Sequence, residues 1–176
     1  MSKIAIKVVI FCTLLLFSNL IQPITSNSES AINTRGVSVR VCPSDNTNSH
    51  KLGPKLLVLV SNGSQSPIYI DRHLSGVPMR QHNSLWVKIK DARSGKEIGP
   101  RATFKRIQRI WRESDFIELE RNLNYGPIID LRDYFQIEKG KAYSCRFVYR
   151  SIAPKKVGKL QPWDGTAMSR PIKIYL

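Results

Sequence analysis

The chain has 176 residues, and its 28 lysines and arginines outnumber 13 acidic residues, for a formal net charge of +15. This length suits one domain and leaves little room for a second. Three cysteines and three scattered histidines offer no clustered ligand set, so we expect no metal site and no cofactor.

The first 26 residues have the pattern of a secretory signal. Lys3 and Lys7 precede an apolar run over 8–21, and small polar residues follow at 25–28. An uncleaved membrane anchor is the alternative, but the run is short for a span of about 20 residues. We expect 1–26 to be a signal peptide, 27–35 a flexible lead and 36–176 the folded domain, exported to the periplasm or the extracellular space. Cleavage near Ser26 and cleavage after Ala31 both fit the pattern.

Removal of the signal would change the cysteine count and the charge. Cys12 would leave, and Cys42 and Cys145 would remain. An exported protein with one cysteine pair is expected to form a disulfide, with two buried thiols as the alternative. Two lysines would also leave, so 26 cationic residues would face 13 acidic ones, a net charge of +13.

The first half of the folded region alternates short apolar segments with polar loops. Alternation with a period of two is typical of a half-buried strand, and a continuous apolar run is typical of a central strand or a short helix. The run Pro54–Val60 is of the second kind, and its Leu and Val content favours the strand. We predict a hairpin turn over Asp91–Lys96 and strands over Gly36–Cys42, Pro54–Val60, Pro67–Ile70 and Leu85–Lys90.

The stretch Asp115–Arg150 organises the second half. Apolar segments flank the turn Asn122–Gly126, a short tight element spans Arg132–Glu138, and an alternating run follows the turn at 139–141. This run puts Tyr143, Cys145, Phe147 and Tyr149 on one face. We predict strands over Phe116–Leu119, Ile128–Leu131, Tyr143–Arg150 and Arg170–Leu176, with a long loop over 151–169. The segment Arg101–Arg112 fits either a helix or an extended ribbon.

Seven or eight short strands with turns about every ten residues predict an all-β fold, a single immunoglobulin-like antiparallel β-sandwich. Tyr143 stands two residues before Cys145 and directly after a glycine turn. In immunoglobulin-like domains a tyrosine at such a corner bonds back to the backbone, and an ordinary strand tyrosine is the alternative. Asp130 is expected to flank a turn or to cap the short element that follows, rather than to form a carboxylate pair with Asp133.

The order of these strands and turns resembles a known module, the immunoglobulin-like N-terminal domain that precedes deuterolysin-type zinc peptidases in bacteria. It is similar, more loosely, to small secreted β-sandwiches of the intracellular-proteinase-inhibitor type. The resemblance covers about residues 36–150 and implies the fold without proteolysis, because no His-Glu-x-x-His is present. It is carried by 59–70, 85–91, Gly95, 98–100, 116–119, 129–131, Tyr134 and 140–143.

The sequence contains no pattern of residues that is typical of a catalytic site. His73 is the one histidine near an acid in the chain, in Asp71-Arg72-His73, and no Gly-x-Ser-x-Gly elbow occurs. We therefore predict no catalytic residues and no enzyme, with a small hydrolase as the disfavoured alternative.

The basic excess is the feature that bears on function. A candidate anion-binding segment holds five cations with no acid among them: Arg101, Lys105, Arg106, Arg109 and Arg112. A second group is Lys155, Lys156 and Lys159. Such fields attract anionic partners, although a solvated basic surface without a partner is the alternative. We expect no nucleic acid partner for an exported protein.

The sequence therefore predicts an exported non-enzymatic binding module that engages an anionic envelope component or a protein. An inhibitor or immunity-type protein that blocks a secreted hydrolase with the 71–84 or 151–169 loop is the alternative.

Overall fold

The computed structural model describes residues 36–44, 52–74, 84–101 and 109–176. The predicted signal and lead lie outside these ranges, as does most of the 75–84 loop. Among the described residues, no helix has the length and apolar character needed to span a membrane. The described chain is built from strands with two short 3₁₀ helices, Glu113–Asp115 and Leu131–Asp133. The strands are β1 Val37–Pro43, β2 Lys55–Asn62, β3 Ile68–Asp71, β4 Leu85–Asp91, β5 Phe116–Leu119, β6 Asn124–Tyr125, β7 Ile128–Asp130, β8 Ala142–Arg150, β9 Thr166–Met168 and β10 Ile172–Tyr175.

These strands form antiparallel sheets around one core, so the predicted all-β sandwich is confirmed. In the β2 sheet, β2 pairs with β1 on one edge and with β6 and β7 on the other. In the β8 sheet, β8 pairs with β4 on one edge and with β9 and β10 on the other. A smaller ribbon pairs β3 with β5.

The core is filled by the inward positions of all three sheets. On β1 the valines are buried while Ser38 and Arg40 are not, and on β8 Tyr143, Cys145 and Phe147 are at most 1% exposed. This alternation follows from the pleat, which points successive side chains to opposite faces. One apolar face per strand is therefore buried against the other sheet.

All eight predicted strands are confirmed to within two residues at each end, and two short strands were missed. The two-residue β6 lies in the predicted Asn122–Gly126 turn, and β9 lies in the predicted 151–169 loop. Both are too short to carry a periodic signal. They bring the strands of the described part to ten, against the seven or eight predicted.

The turn that follows β4 is stabilised by hydrogen bonds to the Asp91 side chain. The Asp91 carboxylate accepts from the backbone N–H groups of Arg93 and Ser94, and Gly95 has φ +70°. The predicted Asp91–Lys96 turn is confirmed because the Asp91 N–H donates to the Lys96 carbonyl. This turn ends β4.

Two further predictions at the β7–β8 corner are confirmed. The Glu138 N–H donates to Tyr143 Oη at 2.8 Å, which is the bond back to the backbone expected of a corner tyrosine. Asp130 accepts from the Arg132 N–H and caps the short helix that follows. Hydrogen bonds from the Arg132 side chain, then from its backbone, lower the pKa of Asp130.

Candidate anion-binding face

The outward positions of the strands in the β8 sheet carry cations and no acid. Alternation along the strands points five cations away from the core: Lys88 and Lys90 of β4, Arg146 and Arg150 of β8, and Lys173 of β10. The remaining outward positions of these strands are uncharged: Trp86, Ala142, Ser144, Val148, Thr166, Met168 and Tyr175. We call this surface the basic face.

The pairing register gathers four of the five cations. Lys88 is directly opposite Arg146, while Ser144 is opposite both Lys90 on one side and Lys173 on the other. Cβ atoms of directly opposite residues are about 5 Å apart, and residues two apart on one strand are about 7 Å apart. The four cations therefore start from a patch about 10 Å wide and 7 Å long, with the Ser144 hydroxyl among them.

Aromatic rings border this patch. Lys88 Nζ lies 5.2 Å from the centroid of the Trp86 ring, and Lys173 Nζ lies 5.4 Å from that of Tyr175. These separations are within the range of cation–π attraction. Each contact favours a lysine position leaning towards an aromatic ring at the border of the patch.

The cations of the basic face have no acidic partner within the described part of the chain, where every ion pair lies elsewhere. The nearest acid by register is Glu97, opposite Lys90 across an isolated bridge, and no ion pair joins them. Like charges directly opposite one another, as Lys88 and Arg146 are, destabilise a sheet. An external anion would relieve this repulsion.

In the predicted anion-binding segment, the structure describes Arg101, Arg109 and Arg112. Lys105 and Arg106 lie outside the described residues. The Arg101 Nε–H donates to the Phe135 carbonyl at 3.0 Å, and Arg112 is exposed. Arg109 is committed to internal carboxylates, so its charge is largely balanced within the fold.

Asp71, at the end of β3, is the centre of that internal network. Its side chain is 3% exposed and accepts from Arg109 Nη1 at 3.1 and 3.3 Å. It also accepts from the Ser84 hydroxyl and from the His73 N–H, each at 2.9 Å. These donors supply the hydrogen bonds that a buried carboxylate needs.

The other side of Arg109 meets Asp115 and an aromatic stack. Arg109 Nη2 lies 3.4 Å from Asp115 Oδ1, and its guanidinium carbon is 4.1 Å from the Trp111 ring centroid. Trp111 stacks on Phe116 with centroids 5.4 Å apart. A hydrogen bond from the Arg112 N–H, then the Arg109 charge, lowers the pKa of Asp115.

This network offers little to a substrate. Ser84 is 1% exposed and its hydroxyl donates a hydrogen bond to Asp71, so the hydroxyl is inaccessible as a nucleophile. His73 Nε2 lies 3.5 Å from Asp115 Oδ1. No three His, Cys, Asp or Glu residues of the described ranges are grouped to hold a metal ion.

The predicted Cys42–Cys145 disulfide is wrong for this structure, in which both cysteines are free. Cys42 occupies an outward, half-buried position on β1, whereas Cys145 is fully buried on the inward face of β8. Cys42 therefore faces away from the core on one sheet, while Cys145 faces the core on the other sheet. Burial raises the pKa of Cys145 to about 12 and also raises that of Cys42.

The second predicted cationic group lies on an anchored loop. Lys155, Lys156 and Lys159 are exposed around a tight turn in which Val157 and Leu160 exchange both backbone hydrogen bonds. Trp163 is 8% exposed and stacks on Tyr149 with centroids 5.4 Å apart. Trp163 therefore anchors this loop to the core.

Sequence reasoning overlooked the basic face because it searched for cations close together in the chain. The signal that could have found it is the alternation along each strand. Lys88 and Lys90 alternate with buried residues on one strand, and Arg146 and Arg150 lie on one side of another. Pairing β4 with β8 would have brought the two sets together.

In comparisons with known proteins, no family model matches this chain, and no curated protein matches it.

Proposed function

We propose that this protein is an exported, non-enzymatic binding module that holds an anionic polymer on its basic face. The observation that carries the proposal is the composition of that face: five outward cations on three paired strands, without an acid at any outward position. Export rests on the signal pattern of residues 1–26.

The energetics favour a collective, salt-sensitive contact. A single exposed charge pair contributes about 0–1 kcal/mol, so no one lysine would hold a ligand. Several cations on a rigid sheet act together, and because the ladder fixes their backbones, only their side chains need to be ordered on binding. Such attraction is screened beyond about 8 Å at physiological ionic strength.

The test compares two matched triple variants on a dextran sulfate resin. One changes Lys88, Lys90 and Lys173 to Gln, and the other changes Lys155, Lys156 and Lys159 to Gln. All six lysines are exposed, so each triple removes three charges of one residue type. We expect the first triple to elute at clearly lower salt than the second. Equal elution would mean that total charge alone governs retention, and the basic face would lose its role.

A third arm tests the predicted 101–112 segment. Changing Lys105, Arg106 and Arg112 to Gln also removes three charges but leaves the Arg109 network intact. If this triple weakens retention most, the anion site belongs to that segment, as its charge density predicts, and the basic face is ruled out as the main site.

A second candidate function, inhibition of a secreted hydrolase, is favoured by the anchored 151–169 loop. The exposed turn around Gly158 is held by mutual backbone bonds, and Glu113 accepts from the Lys159 N–H. Preorganised loops lower the cost of inserting into a cleft. Retention of an envelope hydrolase on the immobilised protein at high salt, with loss of its activity, would support inhibition over polymer binding.

The immunoglobulin-like assignment belongs to the same proposal. The Tyr143 corner and the packing of the two main sheets over one core support a relationship to the peptidase-associated module that the sequence resembles. An experimental structure with a different order of strands across the sandwich would remove it.

A further inference from the structure

The arrangement of donors on the basic face is uneven, and its densest point is Ser144. Ser144 lies between Lys90 and Lys173 in a cross-strand row, which Glu97 continues beyond Lys90. Arg146, two residues further along β8, shares its outward face and has Lys88 opposite. A hydroxyl is thus surrounded by four cations that belong to three adjacent strands.

Arg150 is separated from this group by an apolar row. Trp86 is opposite Val148, which is in turn opposite Met168, and this row lies between Arg146 and Arg150. Val148 is only 2% exposed although it occupies an outward position. The four cations therefore form one bounded patch rather than part of a uniform positive surface.

We infer that this patch is a subsite for one tetrahedral oxyanion, a phosphate or sulfate group carried by the polymer, with Ser144 at its centre. The inference rests on the proposed function and specifies its ligand. Ser144 donates its hydroxyl hydrogen, Arg146 presents its planar guanidinium, and lysines approach from both sides.

Geometry favours such a group over a carboxylate, and for a phosphate monoester the charge does so too. A carboxylate is planar, carries one charge and is satisfied by one bidentate arginine. A phosphate monoester carries about −1.5 to −2 at neutral pH and has three acceptor oxygens, so it can accept from donors on several sides. Among the described residues, four cations beside one acid, Glu97, leave a local excess of positive charge that a phosphate matches better than a carboxylate does.

The test titrates inorganic phosphate, sulfate and acetate, at matched ionic strength, into ¹⁵N-labelled protein and follows backbone amide shifts. We expect saturable shifts at Lys90, Ser144 and Lys173 with phosphate and sulfate, and much weaker ones with acetate. Acetate binding as tightly as phosphate at these amides would overturn the inference. So would the absence of saturable shifts there.

Variants locate the site. Ser144→Ala should weaken phosphate binding about tenfold, the effect of one hydrogen bond to a charged group. Thr166→Val is the control, because Thr166 also places a hydroxyl on the basic face but lies opposite Arg150, outside the patch. Equal effects of the two changes, in variants whose spectra show the native fold, would refute a site centred on Ser144.

A further variant should change the phosphate affinity in the opposite direction. Glu97→Gln removes the nearest acid and should tighten phosphate binding about twofold, the size expected for one charge about 8 Å away in water. A decrease in affinity would contradict the electrostatic argument. If Ser144→Ala has no effect while the lysine triple still loses retention on the resin, the subsite fails and the polymer-binding function stands.

Two polymers identify the source of the oxyanion. Phosphate monoesters gain charge as pH rises through about 6, whereas sulfate esters do not. Affinity for a polysaccharide that carries phosphate monoesters should increase from pH 5 to pH 7, and such an increase, beside unchanged affinity for dextran sulfate, would support charge matching at the patch. Equal pH dependence for both polymers would argue against it.

Discussion

Removing the Arg109 charge should destabilise the fold rather than weaken anion binding. Arg109 donates to both oxygens of a carboxylate that is 3% exposed, contacts Asp115 and covers the Trp111 ring. Hydrogen bonds to a charged group contribute about 1.5–3 kcal/mol, and an exposed cation–π contact about 0.5–1 kcal/mol. Arg109 is itself 30% exposed, which moderates the loss through screening. We expect Arg109→Gln to lower the free energy of unfolding by about 2–4 kcal/mol.

The loss should stay below that of a fully orphaned buried charge. Asp71 keeps the Ser84 hydroxyl and the His73 N–H as donors when Arg109 is removed. The stability of Arg109→Lys should fall between those of wild type and Arg109→Gln. An ammonium keeps the charge, but it cannot form the paired hydrogen bonds of a guanidinium or stack flat on Trp111.

Urea unfolding followed by tryptophan fluorescence measures the effect, with an unchanged slope showing that the native and unfolded states stay comparable. Arg112→Gln is the control, since Arg112 is exposed in the same segment, and it should change stability by less than about 0.5 kcal/mol. A double-mutant cycle with Asp71→Asn should give a coupling energy above about 1 kcal/mol. A coupling energy near zero, or equal losses of stability in Arg109→Gln and Arg112→Gln, would refute the role of Arg109 in the Asp71 network.

Three further predictions concern the corner, the thiols and the acids. Tyr143→Phe should cost about 1 kcal/mol in urea unfolding, because the Glu138 N–H loses its acceptor while the ring stays buried; no loss would deny the corner bond a role. In native protein at pH 8, iodoacetamide should label Cys42 slowly and leave Cys145 unlabelled until urea is added; mass spectrometry that finds a linked cysteine peptide would contradict this. Asp115 has a lowered pKa in the folded state, so its stabilisation is complete above about pH 4, the unfolded value, and is lost as pH falls through the folded value. Asp115→Asn should flatten the loss of unfolding free energy between pH 5 and 2.5, and an unchanged slope would refute the assignment.

The strands could be predicted from sequence because each carries enough residues to show its period. β8 spans nine residues, so its alternation separates Tyr143, Cys145 and Phe147 from Ser144 and Arg146 without ambiguity. β9 has three residues in a loop rich in Pro, Gly and Lys, and its strand conformation depends on pairing with β8. Such an element is set by tertiary contact, which no local pattern encodes.

The disulfide prediction shows the cost of counting cysteines without reading their faces. The alternation of β1 already places Cys42 with Ser38 and Arg40, opposite the buried valines, while that of β8 places Cys145 with buried aromatics. A bridge across a sandwich joins inward positions on the two sheets. The alternation of each strand therefore argued against a Cys42–Cys145 disulfide. The expected export and the even number of cysteines had argued for it.

Charge density along the chain does not by itself decide whether a cation is available to an anion. Arg109 belongs to the densest cationic run of the sequence, yet folding brings it to the carboxylates of Asp71 and Asp115. Lys88 and Arg146 are 58 positions apart in the sequence and become direct neighbours across two strands. What decides whether a cation is available to a ligand is the charge of its neighbours in the sheet. On the outward side of the β8 sheet those neighbours are cationic or uncharged, apart from Glu97 opposite Lys90, which is why we propose the anion site there.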